Sequence, residues 1–144
     1  MSDQMLKWVI GGVLLLHGLG HGGALAALAW IHYRPGAETG AWSAARTWAM
    51  PALTADTATV IASAFWVVAL VGFVVAALSF WGVFVPADWW RPVGVVAALG
   101  SIAGIVLFFG NWPMFNTLAA LGVDVAVLVA VLWLQWRSQA TLGR

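Results

Sequence analysis

The chain contains no cysteine. Disulfides, thiolate-bound metals and thiol nucleophiles are therefore excluded. Charge is nearly as scarce. Six Lys and Arg and five Asp and Glu make up 8% of the 144 residues, against about 25% in an average soluble domain. So few charges cannot clothe a water-soluble globule of this size. There is no basic run, and the net charge is only +1, so nothing supports nucleic-acid binding. Polar sequence is also short. The longest polar stretch, residues 32–57, is too small for a soluble catalytic domain. Any chemistry belongs inside a helical bundle or at its mouth.

What fills the chain is apolar. Hydrophobic residues make up 63% of it, and there are 11 Trp, a residue that favours the bilayer interface. A membrane-spanning helix needs roughly 20 apolar residues. Four stretches qualify: 8–31, 57–82, 88–110 and 113–136. The expected fold is thus all-α, a four-helix up-down membrane bundle occupying one transmembrane domain, with the lipid bilayer as its environment. The first stretch is too long for a signal-peptide core, which spans about 7–15 residues. Asp56 and Thr57 suit the N-cap of the second helix, and Asp88 suits the start of the third. Only a short Gly110-Asn111-Trp112-Pro113 link joins the last two helices, making them antiparallel neighbours, and Pro113 fits a first turn. Trp42, Ala45, Trp48 and Ala49 fall at helical spacing, so a short interfacial helix over 41–50 is expected, with an ordinary loop as the alternative. Lys7, Arg91, Arg137 and Arg144 share one side of such a bundle, and Arg34 and Arg46 the other. That excess places both termini in the cytoplasm. Of the Trp residues, Trp66 alone lies well inside a span.

Against this background, ionisable residues within spans stand out, because they are costly in lipid and usually functional. His17 and His21, in Leu16-His17-Gly18-Leu19-Gly20-His21-Gly22, are four apart and share one helix face. Asp124 is the one carboxylate deep in a span. Helical rise, about 1.5 Å per residue, puts His17 about 14 Å and His21 about 20 Å from the N-terminal side of the membrane. By the same rise Asp124 and Ser101 lie about 18–20 Å from it. All four are near mid-bilayer, so Asp124 is expected to face the bundle and pair with His17 or His21. Gly18 and Gly22 form a G-x-x-x-G pair that favours close helix packing. Gly20 and Ala24 extend this small surface and leave room for a flat ligand.

Several chemistries fit the cluster. His17, His21 and Asp124 can ligate a divalent metal. Asp124 can orient one His, or a His–Asp pair can move protons near a quinone. A single His can ligate a haem or chlorin, although two His on one face cannot supply both axial ligands of one haem. The purely structural alternative is a hydrogen-bonded pin between helices. His32, beside Tyr33 and Arg34, reads as an interfacial anchor. Asn111, Asn116 and Thr117 around Pro113 are expected to cap the fourth helix, with lining an entrance as the alternative. Ser63 and Ser79 are expected to bond back to their own helices.

The Leu-rich run ending in His17-Gly18, and the stretch 110–132 with Asn111, Pro113, Asn116, Ala119, Ala120 and Asp124, resemble small bacterial four-span proteins grouped loosely with the DoxX-like proteins. The resemblance implies a four-helix bundle in a bacterial inner membrane, sometimes accessory to quinone-linked oxidoreductases. DoxX-like helices often continue to a Lys where this chain has His21. Three functions follow for testing: a subunit or accessory of a larger membrane complex or homo-oligomer, a cofactor- or quinone-binding redox protein or intramembrane enzyme, and a small transporter or proton pathway.

Overall fold

A computed structural model describes residues 3–34, 36–38 and 43–134. It is all-helical, with no strand among the described residues: α1 (Asp3–Tyr33), α2 (Ala55–Trp81), α3 (Trp90–Leu107) and α4 (Met114–Leu128). A π-helical turn, Val129–Trp133, continues α4. All four helices are long and apolar enough to cross a membrane. In hydrocarbon every backbone polar group must be satisfied within the segment, which leaves the helix as the stable choice for such runs.

The helices alternate in direction. The Trp81 indole, at the end of α2, donates to the Lys7 carbonyl near the start of α1. Arg91, at the start of α3, donates to the Val131 carbonyl beyond α4. In sequence order, α1 packs on α2, α2 on α3 and α3 on α4.

Lipid supplies no hydrophobic drive to join helices, so close contact of small residues carries the packing. Ala62, Ala69, Ala76, Ala77, Ala97 and Ala98 are fully buried. Gly18 lies against the α2 backbone, where an added Cβ would sit 3.1 Å from the Leu70 carbonyl oxygen. Its partner Gly22 is looser, with a Cβ 3.6 Å from the Leu70 side chain. Between α2 and α3, a Cβ on Gly72 would sit 2.7 Å from that of Ala97, and one on Gly104 would sit 2.9 Å from that of Phe65. The core divides into two apolar clusters. One holds Leu14, Phe73, Phe80, Trp90 and Val127. The other holds Leu28, Ala62, Trp66, Ile105 and Trp112. The polar layer described below lies where they meet.

The ends of the elements correct several expectations. Residues 43–50 form no helix; positions 41 and 42 lie outside the described residues. A short helix is costly to nucleate, and here other partners satisfy the backbone. Ser43 N–H donates to the Asn111 carbonyl, Ala44 N–H donates to the Glu38 carboxylate, and the Asn111 amide donates to the Arg46 carbonyl at 2.6 Å. The Trp48 indole donates to the Val106 carbonyl. This irregular segment therefore crosses the far end of the bundle and ties the α1–α2 connection to α3 and the α3–α4 turn. Thr54, rather than Asp56 or Thr57, caps α2; its hydroxyl accepts from Thr57 N–H at 3.2 Å. Asp88 precedes α3, whose N-cap is Trp89. Pro113 is itself the N-cap of α4, and no side chain caps that end. Thr117 donates back to the Pro113 carbonyl, and Asn111 is committed to the crossing segment. Ser79 does not bond back to its helix; its hydroxyl donates to the Pro86 carbonyl and pins the α2–α3 turn.

A mid-membrane polar cluster beside a cavity

His17 and His21 project from one face of α1 because they are one turn apart. Gly18 lies between them and sets that part of α1 against α2. Asp124 comes from the middle of α4 and is wholly buried. Ser101, from the middle of α3, is equally buried. The four meet as the depth arithmetic requires. His17 Nε2 lies 2.8 Å from Asp124 Oδ1, which bridges α1 and α4. Ser101 Oγ donates to Asp124 Oδ2 at 2.6 Å. Ser101 Oγ also lies 3.2 Å from His21 Nε2.

Proton counting fixes the roles. A hydroxyl has one proton, and Ser101 uses its own on Asp124. His21 Nε2–H is therefore the donor to Ser101 Oγ. Likewise His17 Nε2–H donates to the carboxylate. The result is a continuous chain, His21 to Ser101 to Asp124, joined there by His17. It holds three helices, α1, α3 and α4, at one level.

Aromatic rings frame the imidazoles. His21 stacks on Trp66, with centroids 5.2 Å apart and planes 15° apart. Phe73 meets His17 edge-on at 4.4 Å. Trp112 stands edge-on to Trp66 at 4.8 Å. The sequence marks Trp66 by its depth and gives Trp112 no such mark. Trp112 is buried in the cluster with Trp66. Its place in the tight Gly-Asn-Trp-Pro turn is the signal that could have found it. Among the described residues, the indole N–H groups of Trp66, Trp90 and Trp112 are buried without a hydrogen-bond partner.

A cavity of about 420 Å³ opens beside this layer. His17, His21 and Trp66 line it, with Gly20 and Ala24 from α1, Trp112 from the α3–α4 turn, and Asn116 and Thr117 from the first turn of α4. Leu16 and Phe115 also line it; they are 70% and 81% exposed and so belong to its outer rim. In a bilayer that rim faces lipid. A Cβ on Gly20 would meet nothing within 4 Å, so the small residue leaves the space open. Asn116 and Thr117 thus line the cavity rather than cap a helix.

His32 stands apart from the cluster. Its Nδ1 is 3.7 Å from Asp56 Oδ1, both being exposed. No family model matches the chain, and no curated protein or solved structure matches it either.

Proposed function

We propose that this small membrane protein binds an apolar, lipid-dissolved molecule with an oxygen-bearing head, of the quinone class, in the cavity between α1 and α4. One observation carries the reading. The cavity has a polar inner wall, His17 and His21, and an apolar rim, Leu16 and Phe115, that opens toward lipid. A molecule diffusing in the bilayer enters such a site sideways, head first.

The volume fits. Ligand pockets hold about 300–1,000 Å³, so about 420 Å³ takes a single-ring head while the tail runs out past Leu16 and Phe115. The chemistry fits as well. A hydroxyl on the reduced head can donate to the free Nδ1 of an imidazole whose Nε2–H is held by Asp124 or Ser101. The flat Trp112 and His21 rings suit a planar head. The resemblance to DoxX-like proteins supports a place beside a quinone-linked oxidoreductase, where a bundle this small serves as the subunit that holds the quinone. The excess of Lys and Arg on the N-terminal side supports cytoplasmic termini in a bacterial inner membrane.

The test is quinone retention by protein purified in mild detergent, read by mass analysis of the organic extract and by saturable rebinding of a short-tailed quinone. Wild-type protein is expected to retain about one quinone per chain at most and to rebind it, by analogy with other single-pocket sites. Gly20→Leu is expected to fill the cavity and abolish binding while the fold persists. Equal binding by wild type and Gly20→Leu, or by wild type and His17→Ala, contradicts the reading.

A further inference from the structure

We infer that His17, His21 and Asp124 form a binding site for one divalent first-row transition-metal ion, open on its cavity side. The donor set is the first ground. One ligand atom from each residue lies within 4.8 Å of the other two, and His17 Nε2 and Asp124 Oδ1 are already 2.8 Å apart. Donors around a tetrahedral ion with bonds of about 2.0–2.1 Å stand about 3.3 Å apart. Small side-chain rotations therefore bring all three into a coordination sphere, without moving a helix.

The kind of donor selects the kind of ion. Two imidazoles and one carboxylate suit iron, zinc, nickel and copper, whereas calcium and magnesium take oxygen ligands. Two His and one carboxylate on one side of an ion leave its other positions free. Of the three ligands His17 and His21 line the cavity and Asp124 is wholly buried behind them, which assigns the free positions to the cavity side. Ser101 takes the supporting part. It holds Asp124 Oδ2 and leaves Oδ1 to bind the ion, as outer partners of metal-bound carboxylates do. The membrane adds a reason of its own. A buried carboxylate beside two imidazoles compensates part of a cation's charge where water cannot.

A hydrogen-bonded pin and a metal site differ in one testable respect. In the ion-free cluster both Nε2 atoms carry protons directed at Asp124 and Ser101. A neutral imidazole that takes an ion at Nε2 keeps its one proton, which moves to Nδ1. A metal site therefore takes up a stoichiometric ion and reorients both rings' protons, whereas a cluster that only registers helices binds no ion.

The experiment uses the full chain, stripped with chelator and free of quinone, in detergent micelles. Co²⁺ and Zn²⁺ are the probes. Expected is one Co²⁺ per chain with a visible ligand-field spectrum, and a zinc absorption-edge spectrum with nitrogen and oxygen ligands and imidazole scattering. His17→Gln and His21→Gln are expected to abolish binding, Ser101→Ala to weaken it about 10–100-fold, and His32→Gln to leave it unchanged. A folded wild-type chain that takes up no stoichiometric Co²⁺ or Zn²⁺ overturns the inference, as does a His17→Gln chain that binds as the wild type does. Because the edge spectrum is taken on wild-type protein, a variant that fails to fold does not shelter the inference. The titration is run without quinone. Its failure leaves the ligand reading standing, and failure of quinone binding leaves the metal result standing.

Discussion

Replacing Asp124 by Leu removes the residue that joins α4 to α1 and α3. The side chain is fully buried, and it accepts at 2.8 Å from His17 and at 2.6 Å from Ser101. Interhelical hydrogen bonds in membrane proteins average about 0.6 kcal/mol and reach about 1.7. Two of them give about 1–3 kcal/mol. The larger penalty for stranding buried polar groups does not apply in full. Ser101 can turn its hydroxyl to a carbonyl one turn back on α3, and His17 borders the cavity. Asp124→Asn is expected to cost less, about 1 kcal/mol or below, because an amide oxygen still accepts from Ser101 and the amide N–H₂ can meet a lone pair on the other His17 tautomer. The coupling between positions 101 and 124 follows. Ser101→Ala destabilises Asp124→Leu less than it does the wild type, because only the bond from His21 is left to lose, a coupling of about 0.5–2 kcal/mol. Reversible unfolding in mixed micelles, followed by Trp fluorescence and far-ultraviolet dichroism, measures all of these. An Asp124→Leu protein as stable as the wild type, or an Asp124→Asn protein as unstable as Asp124→Leu, refutes the assignment of these bonds as helix links.

Glycine positions separate packing from space. Gly18→Leu drives a side chain into the α2 backbone and is expected to destabilise by about 1–3 kcal/mol, whereas Gly20→Leu is neutral or stabilising by up to about 1 kcal/mol; thermal unfolding of the pair distinguishes the crowded face from the open one. Asn111→Ala removes the amide that holds the Arg46 carbonyl, so limited proteolysis is expected to cut the segment 43–50 faster while the helices persist. Arg91→Leu frees the Val131 carbonyl and is expected to speed hydrogen exchange in the π-helical turn Val129–Trp133, leaving α2 unchanged.

How much of this was legible depends on what each residue type can report. The four spans and their alternation follow from long apolar runs and a connection as short as Gly110-Asn111-Trp112-Pro113. The polar layer follows from rise per residue alone, because His17, His21, Ser101 and Asp124 each count to the same depth. Facing is different. The helices are apolar almost all round, so no stripe tells which side meets a neighbour. Sequence therefore pointed inward only where a polar residue or a glycine broke the pattern. The cavity between α1 and α4 was marked by Gly20 and Ala24 beside the two histidines, whereas the Trp66–Trp112 contact behind His21 depends on the rotation of apolar faces and had no such marker. The segment 43–50 misled for a related reason. Its helical spacing is genuine, but Glu38 and Asn111, distant in sequence, satisfy its backbone instead. The cap of α2 moved to Thr54 because Asp56, Thr57 and Thr54 all offer an oxygen, and the spacing to Thr57 N–H favours Thr54.

In the proposed function a lipid-dissolved head group sits in the α1–α4 cavity against the His17–Asp124 layer. The most direct test is nitrogen-15 magnetic resonance of side chains in nanodiscs during titration with a short-tailed quinone. With three His and 11 Trp in the chain, imidazole and indole signals are few enough to assign. Saturable shifts are expected at the rings of His17 and His21 and at the indoles of Trp66 and Trp112, with His32 unmoved, and these shifts are expected to be lost in Gly20→Leu. Shifts confined to exposed indoles such as Trp30 and Trp133, or unchanged by Gly20→Leu, would contradict that placement.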